Sequence, residues 1–248
     1  MRLLTIVMLA AAGTLSTQAQ EKVISSADFA AAERTADATF QAKQIPARWT
    51  VDTQSRMEGR PQTDYVSRTV MEFGPNGSRR QSSQSTFGGG PIKRETVIKI
   101  GDKTYNKIDR EEWKEGTVET VCGAEETASE TAVSEPHVEY KYLGSGVLNG
   151  KKVLMFLKTE SRKTTEKTTG AVTETEASTR YWFGESSDLY RSEHRSTTRT
   201  GGKIFHTNIT IEKELDPSIS ISAPERTISI SIPVMSYSVA DKFFSING

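Results

Sequence analysis

The stretch VEYKYLGSGVLNGKKVLMFL, residues 138–157, contains the signals that decide the fold. Its first five residues alternate between apolar or aromatic and charged side chains, so the two kinds occupy opposite faces of a strand. Asn149-Gly150 follows and is typical of a tight β-hairpin turn. Residues 153–157 are apolar in both phases, which predicts a central strand covered on both faces.

The same pattern extends outward in both directions. Short runs rich in Thr, Val, Ile and aromatic residues alternate with turn signals containing Gly, Asn and Asp. The predicted strands are residues 48–58, 64–73, 78–86, 93–100, 103–109, 138–143, 152–164, 172–183, 189–198, 203–214 and 218–222. Connections of hairpin length exclude parallel βαβ architectures, which need longer crossovers. The sequence therefore predicts a mainly β protein, with one or two helices and a single antiparallel sheet of about eleven strands that curls.

One helix is predicted before this sheet, over residues 25–43. Phe29, Ala32, Ala36 and Phe40 are spaced for one face, Ser26 is a candidate N-cap and Pro46 ends the segment. Such a narrow apolar stripe is typical of a helix that lies on a sheet.

Two segments interrupt the regular strand pattern. Residues 111–137 hold eight glutamates and one lysine with no clear period, which predicts a lid or a disordered insertion. Residues 159–180 carry Thr, Glu, Lys and Arg on both faces of a hairpin. These charges predict strands that extend into water and resist pairing with another chain.

The N-terminus has the features of a signal peptide. Arg2 precedes an apolar run, and small residues end at Ala19, so residues 1–19 are predicted to be removed on export. The run is too short for a transmembrane anchor. Cys122 is the only cysteine, so a lipidated N-terminal cysteine and an internal disulfide are both excluded. We expect a periplasmic or secreted protein with a half-barrel domain over residues 20–224 and an extension over residues 225–248.

Several chemistries lack support in the sequence. Without Arg2 the chain carries one more acid than base, which argues against nucleic acid as a partner. His137, His194 and His206 fall on separate segments, without zinc-ligand spacing. The chain contains neither a Gly-x-Ser-x-Gly elbow nor a phosphate-binding loop. We therefore predict no metal, no cofactor and no enzymatic activity.

The stronger signal is a set of apolar and aromatic residues on strands whose other face is polar. These residues are Trp49, Val51, Met71, Phe73, Trp113, Tyr140, Tyr142, Leu154, Phe156, Trp182 and Phe205. They are expected to form a core between the sheet and the helix, to line a ligand cavity, or to do both. A single narrow helix is too small to cover the concave face of about eleven strands. A ligand, a lid or a partner is expected to cover the rest.

Three motifs resemble the periplasmic lipoprotein-carrier superfamily, whose members are like the lipoprotein localisation factor. They are Tyr140-Lys-Tyr-Leu-Gly144, Leu148-Asn-Gly-Lys-Lys-Val-Leu154 and Tyr181-Trp-Phe-Gly-Glu-Ser-Ser-Asp-Leu-Tyr-Arg-Ser-Glu193. Asp216-Pro217 and Ala223-Pro224 resemble its closing segment, so the likeness spans about residues 21–224. It implies an eleven-stranded half-open barrel, closed by helices, that binds acyl chains without chemistry.

The leading functional expectation is a soluble, non-catalytic periplasmic carrier or binding protein for lipid, lipoprotein acyl chains or another amphiphile. Its partners would be a hydrophobic or lipidic ligand and, in addition, envelope proteins. One alternative is a structural or interaction module of the envelope that uses an exposed sheet edge. A hydrolase is the third alternative, and it requires a polar pocket in which His194 or His206 lies beside a carboxylate.

Overall fold

The structure is a computed structural model that describes residues 21–41, 46–116, 131–133, 135–166 and 169–229. The predicted signal peptide and Cys122 lie outside the described residues, as do residues 230–248 of the predicted extension. No helix within the described ranges has the length and apolarity needed to cross a membrane.

One sheet contains all fourteen strands of the described residues. The strands are β1 Lys22–Ile24, β2 Ala47–Met57, β3 Tyr65–Phe73, β4 Arg79–Phe87, β5 Lys93–Ile100, β6 Lys103–Ile108, β7 Lys114–Gly116, β8 Thr131–Val133, β9 His137–Leu148, β10 Lys151–Glu166, β11 Val172–Gly184, β12 Leu189–Thr200, β13 Lys203–Leu215 and β14 Ile228–Ser229. Their order is β1-β9-β10-β11-β12-β13-β2-β3-β4-β5-β6-β7-β14, and β8 pairs with β10. Every pairing is antiparallel except that of β14 with β7. The sheet is open and forms a half-open barrel, with one α-helix, α1 Ser26–Gln41.

Ten of the eleven predicted strands are confirmed: nine agree within two residues at each end, and the strand predicted at residues 138–143 continues to Leu148. The prediction of a strand at residues 218–222 is wrong, because the chain forms a hydrogen-bonded turn after β13. The Asp216 carboxylate accepts hydrogen bonds from the Ser218 backbone N–H and hydroxyl, and the Ile219 N–H bonds to the Asp216 carbonyl. Within residues 111–137, predicted as a loop, β7 and β8 are short strands.

The N-cap of helix α1 lies one residue before the predicted position. Ser25, not Ser26, is the N-cap: its Oγ accepts a hydrogen bond from the Asp28 backbone N–H at 3.1 Å. The same hydroxyl donates to the Asp28 carboxylate at 2.7 Å. This reciprocal arrangement satisfies a donor that the first helical turn would otherwise leave open.

The helix packs on one face of the sheet, which we call the helix-facing surface; the other is the outer surface. Phe29 stacks on Tyr140 with ring centroids 4.9 Å apart and meets Tyr181 edge-on at the same distance. Ala36 and Phe40 are buried in the same cluster. The burial of these apolar side chains holds α1 on the sheet.

A β-bulge between β9 and β10 keeps Tyr140 and Tyr142 on the helix-facing surface. The register shifts between Met155 and Phe156, so that Gly144 lies opposite Met155 while Tyr142 lies opposite Phe156. Gly144 has a φ of 101°, a conformation that favours glycine.

The segment after β13 covers part of the outer surface. Glu72, on β3, is buried and accepts hydrogen bonds from Arg48 and Arg80, and Arg48 also pairs with Asp216 at 3.1 Å. Burial alone would raise the pKa of Glu72, but the two guanidinium groups lower it overall. Ile219, in the same segment, is also buried.

Candidate functional site

A cavity of about 450 Å³ lies between α1 and the helix-facing surface of β10–β13. The lining residues are Glu33, Arg34, Asp37, Lys158, Glu160, Ala177, Thr179, Tyr181, Tyr190, Ser192, His194, Ile209, Ile211 and Lys213. The volume falls within the range of small-molecule sites in proteins.

The strand registers arrange the floor of this cavity in rows. The first row, beneath α1, runs Leu154–Phe183–Tyr190–Lys213–Trp49. The next rows are Phe156–Tyr181–Ser192–Ile211–Val51 and Lys158–Thr179–His194–Ile209–Thr53. The rows therefore change from aromatic under the helix to mixed apolar and polar beyond it, where the cavity lies.

Lys213 is the most unusual residue of the floor. Its side chain is only 6% exposed, and its ammonium group donates to the Asp37 carboxylate at 2.5 Å. The same nitrogen lies 4.5 Å from the centroid of the Trp49 ring and 4.7 Å from that of Tyr190. A carboxylate and two aromatic faces thus replace much of the water that a lysine normally requires.

Glu33 sits on α1 one turn before Asp37 and faces the same cavity. The Tyr190 hydroxyl donates to Glu33 at 3.3 Å. Burial raises the pKa of Glu33, and the hydrogen bond from Tyr190 opposes that shift only in part. The pKa of Tyr190 is also raised, by burial and by the Glu33 charge, so the phenol stays protonated as the donor.

The far end of the cavity is polar. His194 Nδ1 lies 2.9 Å from the Thr179 hydroxyl, and burial lowers the pKa of His194. Lys158 and Glu160 form an ion pair at 3.2 Å on β10. As alternation predicts, Glu193 is on the other surface, where it binds Arg191 at 2.7 Å.

The cavity therefore combines an apolar floor with charges of both signs. Ile209, Ile211 and Ala177 supply aliphatic surface, while α1 and β10 supply the charged rim. Among the described residues, no group of three or more His, Cys, Asp or Glu side chains converges as a metal site requires. This composition fits a ligand with one apolar and one polar part.

The eleven residues predicted from the sequence occupy three places. Trp49, Tyr140, Tyr142, Leu154 and Phe156 belong to the aromatic cluster under α1. Val51, Met71, Phe73 and Phe205 share the helix-facing surface by register.

The other two lie elsewhere. Trp182 is on the outer surface, where Arg180 and Arg191 flank its ring at 5.9 Å and 5.6 Å. Trp113 precedes β7, and the Lys107 ammonium lies 5.8 Å from its ring. Nine of the eleven thus lie on the helix-facing surface beside the cavity, and within the part of the chain that the structure describes other residues line the cavity itself.

The charged lining residues have a signal of their own in the sequence, which aromatic content does not reveal. Lys213 occupies the same strand phase as Ile209, Ile211 and Leu215, so it interrupts an apolar series. Glu33 follows Phe29 by four residues on α1 and therefore flanks its apolar stripe. A charged residue in an apolar phase is thus a better marker of this cavity than aromatic content.

Comparison with known proteins adds little to this geometry. No protein-family model matches the chain. No curated protein matches it either. Among solved structures, an S-type phycobiliprotein lyase, CPES from Guillardia theta, aligns over 77% of this chain and 98% of its own length, with 12% identity and a TM-score of 0.24. A likeness at this level carries no argument about fold or function.

Proposed function

We propose that the chain is a non-catalytic binding protein or carrier for an amphiphile, which occupies the cavity between α1 and the helix-facing surface. The observation that carries this proposal is the combination of an aliphatic floor with a rim of fixed charges. The predicted signal peptide supports a role outside the cytoplasm, where such a protein would carry lipid or another amphiphile through water.

Most of the charged residues that line the cavity have a partner within the protein, which supports binding over catalysis. Lys213 is held by Asp37, Lys158 by Glu160, and the Tyr190 hydroxyl by Glu33. Charges fixed in this way can orient the polar end of a ligand, because their positions do not have to reorganise when it enters. The apolar end would lie on Ile209, Ile211 and Ala177.

A single substitution can fill the cavity without touching its charged groups. Ile209→Trp places a large ring on the floor, so we expect it to weaken binding of a fluorescent single-chain fatty acid by at least about tenfold. Fluorescence titration of the full chain measures this. The matched control is Thr210→Trp, because Thr210 is the next residue of β13 and faces the outer surface.

The comparison of the two variants shows whether the ligand occupies the cavity. Loss of affinity in Ile209→Trp with retention in Thr210→Trp places the ligand on the floor of the cavity. Equal affinity in both variants would contradict the proposed site. Circular dichroism on each variant shows that the sheet is intact.

A further inference from the structure

A second pocket lies on the outer surface of the sheet, away from the cavity under α1. This outer groove has a volume of about 380 Å³, and its lining includes Arg56, Arg195, His206 and Asn208. It extends over β11, β12, β13 and β2. Strand alternation places it on the surface opposite the proposed amphiphile site.

Two rows of side chains form the groove. One row runs Ser178–Arg195–Asn208–Gln54, and the next runs Glu176–Thr197–His206–Arg56. Arg56 and Arg195 therefore lie diagonally on either side of β13. Strand spacing and rise place their Cα atoms about 12 Å apart. Two side chains as long as arginine can span that separation and contact one group between them.

The carboxylates near the groove are already engaged. Glu176 pairs with Arg199 at 3.3 Å, and Glu58 lies 2.7 Å from His206 Nε2. The other ring nitrogen of His206 is 3.2 Å from the Thr197 hydroxyl. These contacts hold the imidazole in place. Both carboxylates near the groove therefore already have a partner.

Arg56 and Arg195 differ in their partners from Arg191, another arginine of the outer surface. Arg191 is bound by Glu193 and Glu212, at 2.7 Å and 2.9 Å. Within the described residues, no carboxylate lies within ion-pair distance of Arg56 or Arg195. The groove thus concentrates two uncompensated guanidinium groups beside an amide and two hydroxyls.

We propose that the outer groove binds a phosphate-type oxyanion between Arg56 and Arg195. A guanidinium group presents paired N–H donors that match two oxygens of a phosphate. Asn208 lies between the two arginines and can donate to a third oxygen, and Ser178 adds a hydroxyl donor. This site is independent of the amphiphile cavity, so either can fail without the other.

Titration of the full chain with inorganic phosphate, at constant ionic strength, tests the site by calorimetry. We expect saturable binding at one site, with affinity lowered about tenfold in Arg56→Gln or Arg195→Gln. Arg68→Gln is the matched control, because Arg68 is an exposed arginine of the same surface on β3. Absence of saturable binding both of inorganic phosphate and of phosphatidic acid vesicles, or an equal loss in Arg68→Gln, would overturn the proposal.

Asn208→Asp provides a second variant, which adds a negative charge between the arginines while both remain. We expect it to abolish phosphate binding and to leave the far-UV circular dichroism spectrum unchanged; retained affinity would count against the site. Vesicles of phosphatidylcholine with and without phosphatidic acid distinguish a lipid headgroup from free phosphate. Binding that requires phosphatidic acid and both arginines identifies the headgroup, and binding of inorganic phosphate alone identifies the free anion.

Discussion

Lys213 shows at the scale of one residue how the cavity is built. Its position in the apolar phase of β13 brings a charge under the helix, and Asp37 of α1 meets it there at 2.5 Å. Because the pair joins the only described α-helix to the sheet, it fixes the position of α1 over the cavity. The aromatic rings of Trp49 and Tyr190 then enclose the ammonium group.

Removing one partner of this pair leaves the other without its counter-charge. Lys213→Met, which keeps the length of the side chain, should lower the free energy of unfolding by about 3 kcal/mol, the low end for a broken buried ion pair. Adding Asp37→Asn should recover about 1 kcal/mol or more, because it removes the unbalanced carboxylate. Urea denaturation of the three variants gives both values. A single variant as stable as the parent would show that the pair does not hold α1.

Glu33 gives a prediction about pH. Burial raises its pKa in the folded state above the ordinary value of 4.5, so the folded protein binds this proton more tightly than the unfolded chain does. The contribution of Glu33 to stability is therefore lost as pH rises from 4.5 through the raised pKa. Glu33→Gln should raise the free energy of unfolding at pH 7, and the gain should disappear below pH 4.5.

The control for this experiment is Glu185→Gln, since Glu185 is exposed at the turn between β11 and β12. It should change stability little at either pH. A gain from Glu33→Gln that persists in acid would mean that lost charge is not its cause.

Single residues of the site could be predicted from the sequence only in part. Tyr140 and Phe156 could be placed on one face by alternation, and they do lie together under α1. Thr179 and His194 could not be paired, because their contact depends on which strands become neighbours and in which register. Sequence spacing fixes the face of a side chain, whereas the register fixes its partners.

At the scale of elements, the turn residues predicted the ends of the strands best. Asn149 adopts a φ of 50° and Gly150 one of 77°, as a tight hairpin turn between β9 and β10 requires. The end of β13 was harder to predict, because the apolar Ile219 and Ile221 resemble a strand while Asp216 closes a local turn. The short β1, β7, β8 and β14 give too few residues to show a period.

The hairpin between β4 and β5 offers a test of element packing. A Cβ atom at Gly88 would lie 2.5 Å from the Gln62 carbonyl oxygen, whereas one at Gly89 would meet no atom within 4 Å. Both have positive φ, so Gly89→Ala should cost about 1–2 kcal/mol from backbone strain alone.

Gly88→Ala should cost clearly more than Gly89→Ala, because backbone at Gln62 has to move as well. Thermal unfolding of the two variants measures the difference. Equal losses would mean that the hairpin does not dock on the turn that follows β2.

On the scale of the whole molecule, one open sheet presents two surfaces with different chemistry. The helix-facing surface holds aromatic packing and a cavity with aliphatic floor and charged rim. The outer surface is covered in part by residues 216–224 and elsewhere carries ion pairs and the outer groove. The open antiparallel sheet could be predicted from the number of strands and from the alternation of their side chains. The residues that line the cavity beside the helix could not be predicted, because they depend on the position that α1 takes over the sheet.

Native mass spectrometry of the full chain, purified from its own source without detergent, tests the central claim most directly. We expect a population with the added mass of a bound amphiphile, which is lost in Ile209→Trp and retained in Thr210→Trp. A parent protein that carries no added mass, and that takes up no fatty acid when one is supplied, would contradict the account.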